Sequence, residues 1–201
     1  MATLQLTAST LAVTPAAGQI EFDGHFYATD SANVRGKLNR LIQRTVVATT
    51  SGTLIDFTSI PNWVKRITVM LNGVSTNAAG NRRYFIQLGS GTIQTTGYIS
   101  QASSIGAAGN TTTSSQTTAA FVLQGYAPTA SKAFTGNIVI TNITGNTWVS
   151  SGLLNEDTGT DGVSMSAGAV TLASALDTVR ITTAPTADTF DGGSVNILYE
   201  G

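Results

Sequence analysis

A chain of 201 residues with no cysteine holds no disulfide, no thiolate nucleophile and no cysteine-based metal site. Its single histidine, His25, leaves a histidine metal cluster or a Ser-His-Asp triad short of members, and ten basic against eleven acidic side chains offer no electrostatic footprint for nucleic acid. No apolar run approaches ~18 residues, so no membrane-spanning helix is expected, and Met1 to Leu11 lacks the basic start of a signal peptide.

The N-terminal residues 1–18 are small and polar and read as a linker or anchor, with one extended strand ending at Pro15 as the alternative. Residues 19–28 predict a hairpin: QIEF and HFYA flank Asp23-Gly24, a pair suited to a type I′ turn. Residues 30–44 are the one helical candidate, with Val34, Leu38 and Leu41 or Ile42 at helical spacing and Asp30 or Ser31 as a cap. Gly36 opposes a helix, and a loop leading into a strand over 41–48 is the alternative.

From residue 45 the pattern is strand, turn, strand. Strands are expected over 53–57, 64–74, 83–88, 98–105, 119–124, 136–143, 147–154, 163–172, 176–183 and 194–199. Residues 107–118 read as a polar loop and 155–162 as an acidic turn. Thr (33), Ser (18), Asn (12) and Gly (21) make up 84 of the 201 residues, a mixture poor for helices and good for strands and turns. The expectation is an all-β fold: an antiparallel β-sandwich, jelly-roll-like, over 45–201. Residues 1–44 are expected to form an N-terminal attachment segment containing the hairpin.

Four blocks of sequence carry a resemblance. AGQIEFDGHFYATDSANVRGKL (17–38) follows a small-Gly-x-Ile-Glu-aromatic-Asp-Gly-x-x-Tyr-Ala-Thr pattern with a later Arg-Gly pair. SGTLIDFTSIPNWVKRITVMLNGVST (51–76) holds an unbroken Asp-Phe-x-x-Ile-Pro-x-Trp-Val-Lys-Arg-Ile-Thr run. After Trp148-Val149-x-Ser-Gly come SAGAVTLASALDTVRITT (166–183) and DTFDGGSVNILYE (188–200). These blocks resemble bacteriophage tail-fibre and related virion surface proteins. The resemblance implies a β-rich module on the particle, most often a homotrimer at the distal end of a fibre. Its implied partners are copies of itself, other phage structural proteins (a tail adaptor, baseplate or capsid) and a host-surface glycan or protein. No cofactor or metal and no membrane insertion are implied. Little chain precedes the module, so a short adaptor-bound fibre or a capsid decoration protein is also expected. Three copies would bury apolar faces along a threefold axis, with stability dependent on assembly.

No catalytic residue is expected. Receptor-contact candidates are Asn81, Arg82, Arg83 and Tyr84, an Arg pair beside an aromatic, a combination suited to acidic sugars. Asn110, Asp157 and Asp161, in the polar loops, complete the set. The bland alternative for the Arg pair is a hairpin loop whose cations meet acids of a neighbouring subunit. Glu156, Asp157 and Asp161 offer oxygen ligands to a calcium ion but lack EF-hand spacing, so a solvated turn is the simpler reading. A carboxylate pair for glycoside cleavage would be drawn from Asp157, Asp161, Asp188 and Asp191. Trp63 and Trp148 read as core or as sugar platforms. Residues 1–83 hold 8 basic and 4 acidic groups and 151–201 hold 1 and 7, a polarity that would steer docking.

Overall fold

A computed structural model describes residues 7–77, 83–106, 112–125, 130, 132–156, 162–184 and 188–201. Every regular element among them is a strand. The chain divides into two compact units, 1–40 and 41–201. The division falls after residue 40 rather than 44, because Leu41–Gln43 pairs with the last strand of the larger unit.

In the smaller unit, β1 (Ile20–Phe22), β2 (Phe26–Thr29) and β3 (Arg35–Lys37) form an antiparallel meander. The hairpin is as expected, but its turn is not type I′. Phe22 pairs with Phe26, which leaves a three-residue loop. Gly24 has φ +110°, while Asp23 is not in the left-handed region that type I′ demands. Asp23 instead accepts the His25 N–H at 3.1 Å. The helix considered over 30–44 does not form. The Asp30 carboxylate accepts the N–H groups of Ala32 (2.8 Å) and Val34 (2.9 Å), closing a turn with Asn33 at φ +61°. Asp and Asn use short side chains this way, in competition with a helix. Among residues 7–40 only Thr29 is buried.

The larger unit is an antiparallel β-sandwich of unequal sheets, and its strand order does not single out a jelly roll. Its strands are β4 (Leu41–Gln43), β5 (Val47–Ala48), β6 (Leu54–Phe57), β7 (Arg66–Thr76), β8 (Arg83–Gly89) and β9 (Ile99–Ile105). There follow β10 (Thr112–Thr117), β11 (Phe121–Val122), β12 (Phe134–Thr144) and β13 (Thr147–Glu156). The last three are β14 (Val163–Thr171), β15 (Thr178–Ala184) and β16 (Phe190–Glu200). The large sheet runs β10-β9-β14-β13-β12-β7-β16-β4, with β5 also on β16; the small one runs β11-β8-β15-β6. The stretch 112–117, expected as loop, is strand: it pairs with β9 from Thr112 opposite Ile105 to Thr117 opposite Ser100.

Alternation builds the core. Ile67, Val69 and Leu71 of β7 point inward and Thr68 and Met70 outward, the period of two that a half-buried strand requires. Ile138, Ile140, Trp148, Leu154, Val195 and Ile197 join them from the large sheet; Tyr84, Ile86, Leu88, Val179 and Ile181 meet them from the small one. Each such side chain contributes ~1.5–3 kcal/mol on burial. This core gathers residues of both sheets within one chain. The smaller unit has no comparable core, and single domains below ~40 residues seldom stand without outside support.

The two most specific resembling blocks are neighbours here. IPNWVKRITV turns a corner and becomes β7, and FDGGSVNILYE is β16. They pair in register, with Ile67 opposite Tyr199 and Val69 opposite Ile197. Trp63 leans on Tyr199 at 5.8 Å between ring centroids, and the Lys65 N–H donates to the Glu200 carbonyl at 2.8 Å.

Candidate binding surface

Strand direction sorts the connections of the sandwich by end. β7, β9, β11, β13 and β15 finish at one end, where β8, β10, β12, β14 and β16 begin. The links between β7 and β8, β9 and β10, β11 and β12, β13 and β14, and β15 and β16 all leave this end. Leu41, the first residue of the unit, lies opposite Glu200 and thus at the other end.

Of the sequence-selected contact residues, Asn81, Arg82, Asn110, Asp157 and Asp161 lie outside the described residues. The strands that bracket them (β7 and β8, β9 and β10, β13 and β14) share the end just described. Arg83 is half-buried at the start of β8, opposite Ala184.

Tyr84 is a correction. It is 1% exposed, its ring packs edge-on against Phe134 at 5.3 Å and stacks near Phe190 at 6.2 Å, and its hydroxyl donates to the Val74 carbonyl at 3.4 Å. Arg83 and Tyr84 are consecutive on a strand, so they face opposite ways. A receptor cannot reach both from one side. Burial pushes the Tyr84 hydroxyl well above the ordinary tyrosine range.

The acids are dispersed. Glu156 is buried and pairs with Lys132 at 3.2 Å, so it turns inward from the acidic turn. Asp188 is 8% exposed. Asp191 is exposed and accepts the Ser75 hydroxyl at 2.5 Å. Among the described residues no three His, Asp or Glu side chains gather as metal ligands. The widely separated charges of the sequence partly meet within the fold. Arg180 grips Asp56 through two hydrogen bonds of 2.7 Å, which raises the guanidinium pKa, and Arg66 pairs with Glu200. In the smaller unit Arg35 bonds Glu21 at 2.6 Å and the Ala12 carbonyl at 2.5 Å.

Trp148 is 4% exposed in the core and Trp63 packs against it half-buried, so Trp148 offers no platform for a sugar. His25 is exposed in the hairpin loop, with Asp23 3.6 Å away.

Sequence reasoning missed one surface. An open groove of about 840 Å³ crosses the outer side of β9, β10 and β14. Its floor is Ala167 and Ala169, with Ile99, Gln101 and Gln116 beside them, and no charged side chain lines it. The signal was the small-residue run of β14, but 112–117 had to be recognised as a strand before the groove had a second wall.

No family model, no curated protein and no solved structure matches the chain.

Proposed function

We propose that this chain is a bacteriophage virion structural protein, a short tail-fibre or receptor-binding module that contacts the host surface by binding, without catalysis. The observation that carries this reading is the polarity of the larger unit. The unit begins at Leu41 beside Glu200, and the strands that bracket Asn81, Arg82, Asn110, Asp157 and Asp161 share the opposite end. A rigid sandwich held at one end and displaying loops at the other is a common plan for recognition. The resembling blocks support the same reading, since they include both the meander of the smaller unit and the paired strands β7 and β16 of the larger one.

In this reading the smaller unit supplies attachment. It has almost no buried side chain of its own, so ordering it requires contacts with copies of itself or with a tail adaptor or baseplate protein. Three copies per assembly is the expected stoichiometry. The partner at the loop end is a host-surface glycan or protein.

Adsorption competition tests the proposal. Host cells preincubated with the purified full chain should adsorb fewer phage particles. Unchanged adsorption, with the chain folded and demonstrably in excess, contradicts receptor binding. Gold labelling confined to the heads of intact particles would instead assign the chain to capsid decoration.

A further inference from the structure

The outer face of the nine-stranded sheet is the largest surface of the sandwich with no layer of its own unit across it. Alternation places Ile99, Ile105, Val163, Met165 and Leu153 on this face, and all are exposed, from 38% to 77%. They are contiguous: Val163 lies opposite Ile105, and Met165 opposite Leu153. The cross-strand row continues through Asn137 to Met70. Across β9, β14, β13, β12, β7 and β16 the charged side chains that do not face the core are Arg66 and Glu200, which pair at one end, and Asp191, which holds Ser75 near the other. By contrast the outer face of the small sheet carries the Asp56–Arg180 pair.

We propose that this face is where one copy of the chain docks on another. The proposal deepens the reading of a self-assembling surface module and rests on it. Three features select a second copy as the occupant. First, the face carries both halves of a fit: Leu153 and Met165 stand proud beside the groove floored by Ala167 and Ala169, so the ridge of one copy meets the groove of the next. Second, two identical sheets share one twist, the condition for packing face to face with strands within ~30° of each other. Third, the extent is right. Six strands from β9 to β16 span ~29 Å, and about eight residues of each span ~26 Å. That is ~750 Å² per copy, close to the ~800 Å² each partner buries in a stable interface. The absence of charge at its centre avoids the desolvation cost that a buried unpaired ion would impose.

The test is the mass in solution of the full chain and of Leu153→Glu, Met165→Glu and Leu54→Glu. Leu54 is 42% exposed on the small sheet and serves as the control. Light scattering at micromolar concentration should give the wild type and Leu54→Glu the mass of an oligomer, two or more chains of 20.7 kDa each. Leu153→Glu and Met165→Glu should fall to one chain, with far-UV circular dichroism unchanged. A monomeric wild type overturns the proposal. So does a folded Leu153→Glu that keeps the wild-type mass, which would place assembly on another surface and leave the virion reading to the adsorption experiment. Should the charged variants not fold, cysteine accessibility decides. The chain has no cysteine of its own, so Leu153→Cys and Leu54→Cys each give one labelling site. Maleimide should modify Cys at 153 at least tenfold more slowly than at 54, and dilution to monomer should abolish the difference. Equal rates overturn the proposal, as does protection at 153 in a chain that is monomeric.

Discussion

At Gly193 strands β7 and β16 come closer than a side chain allows. The residue has φ +88°, and a Cβ built there runs into the carbonyl of Gly73, itself at φ +62°. Both glycines sit at the shift in register between β7 and β16. Gly193→Ala is expected to destabilise the sandwich by ~2 kcal/mol or more, because it adds backbone strain to a clash. The denaturant midpoint should fall with an unchanged slope; a midpoint within experimental error of wild type contradicts the close approach. Tyr98 gives a second test. Its buried hydroxyl oxygen accepts the Leu88 N–H at 2.8 Å, and burial raises its pKa to about 12. An unfolded tyrosine titrates near ~10, so the unfolded chain releases this proton first as pH rises. The contribution is fully present below pH ~10 and is lost as pH climbs from there through 12. Absorbance titration of the folded protein should show Tyr98 ionising late; its ionisation in step with a model tyrosine contradicts this burial. Tyr98→Phe leaves the Leu88 N–H unsatisfied and should cost ~1–3 kcal/mol.

Among the elements, strands with apolar alternation were legible and strands without it were not. Val64, Ile67, Val69 and Leu71 announced β7, which the structure bounds at Arg66–Thr76. Thr112–Thr117 holds no apolar residue, so nothing in TTSSQT distinguishes a strand from a loop. What decides is the partner: β9 offers an open ladder six residues long, a non-local fact. The helix considered over 30–44 shows the reverse error, in which spacing matched a helix but a local carboxylate stabilised a turn. Two measurements belong to this scale. Asp30→Ala removes the acceptor for two backbone N–H groups and should speed amide exchange in 26–38 while leaving the thermal midpoint of 41–201 within ~1 °C, since both lost bonds lie inside the smaller unit. Loss of protection throughout the sandwich contradicts two separate units. The Glu21 carboxyl is held below its ordinary pKa, first by the Ala12 N–H and also by Arg35. The folded unit therefore binds that proton later than the unfolded one. Its contribution is present above the ordinary Glu range, near ~4.3, and is lost as pH falls below it. Protection in 9–22, taken relative to the intrinsic exchange rate at each pH, should fall on acidification through that window, and Glu21→Gln should remove that fall; an equal loss of protection in the variant contradicts the clasp.

For the whole molecule, the sequence disclosed the fold class and much of the core, and it placed the candidate contacts in loops without showing that the strands bracketing them share an end. That needed strand order, which follows from pairings between residues far apart in the chain, such as Leu41 with Glu200. It could not disclose the apolar outer face either. Ile99, Leu153 and Met165 lie within expected strands, and only register puts them on the open side of the large sheet. The proposed binding module joins a sandwich with a core of its own, a smaller unit with little buried among its described residues, and an apolar face whose Arg66 pairs with Glu200. Gold-conjugated antibody raised against folded 41–201 and applied to intact phage particles tests it most directly. Label at the tail tips is the predicted result. Particles that carry the protein by mass spectrometry yet take up no label anywhere on their surface would contradict it.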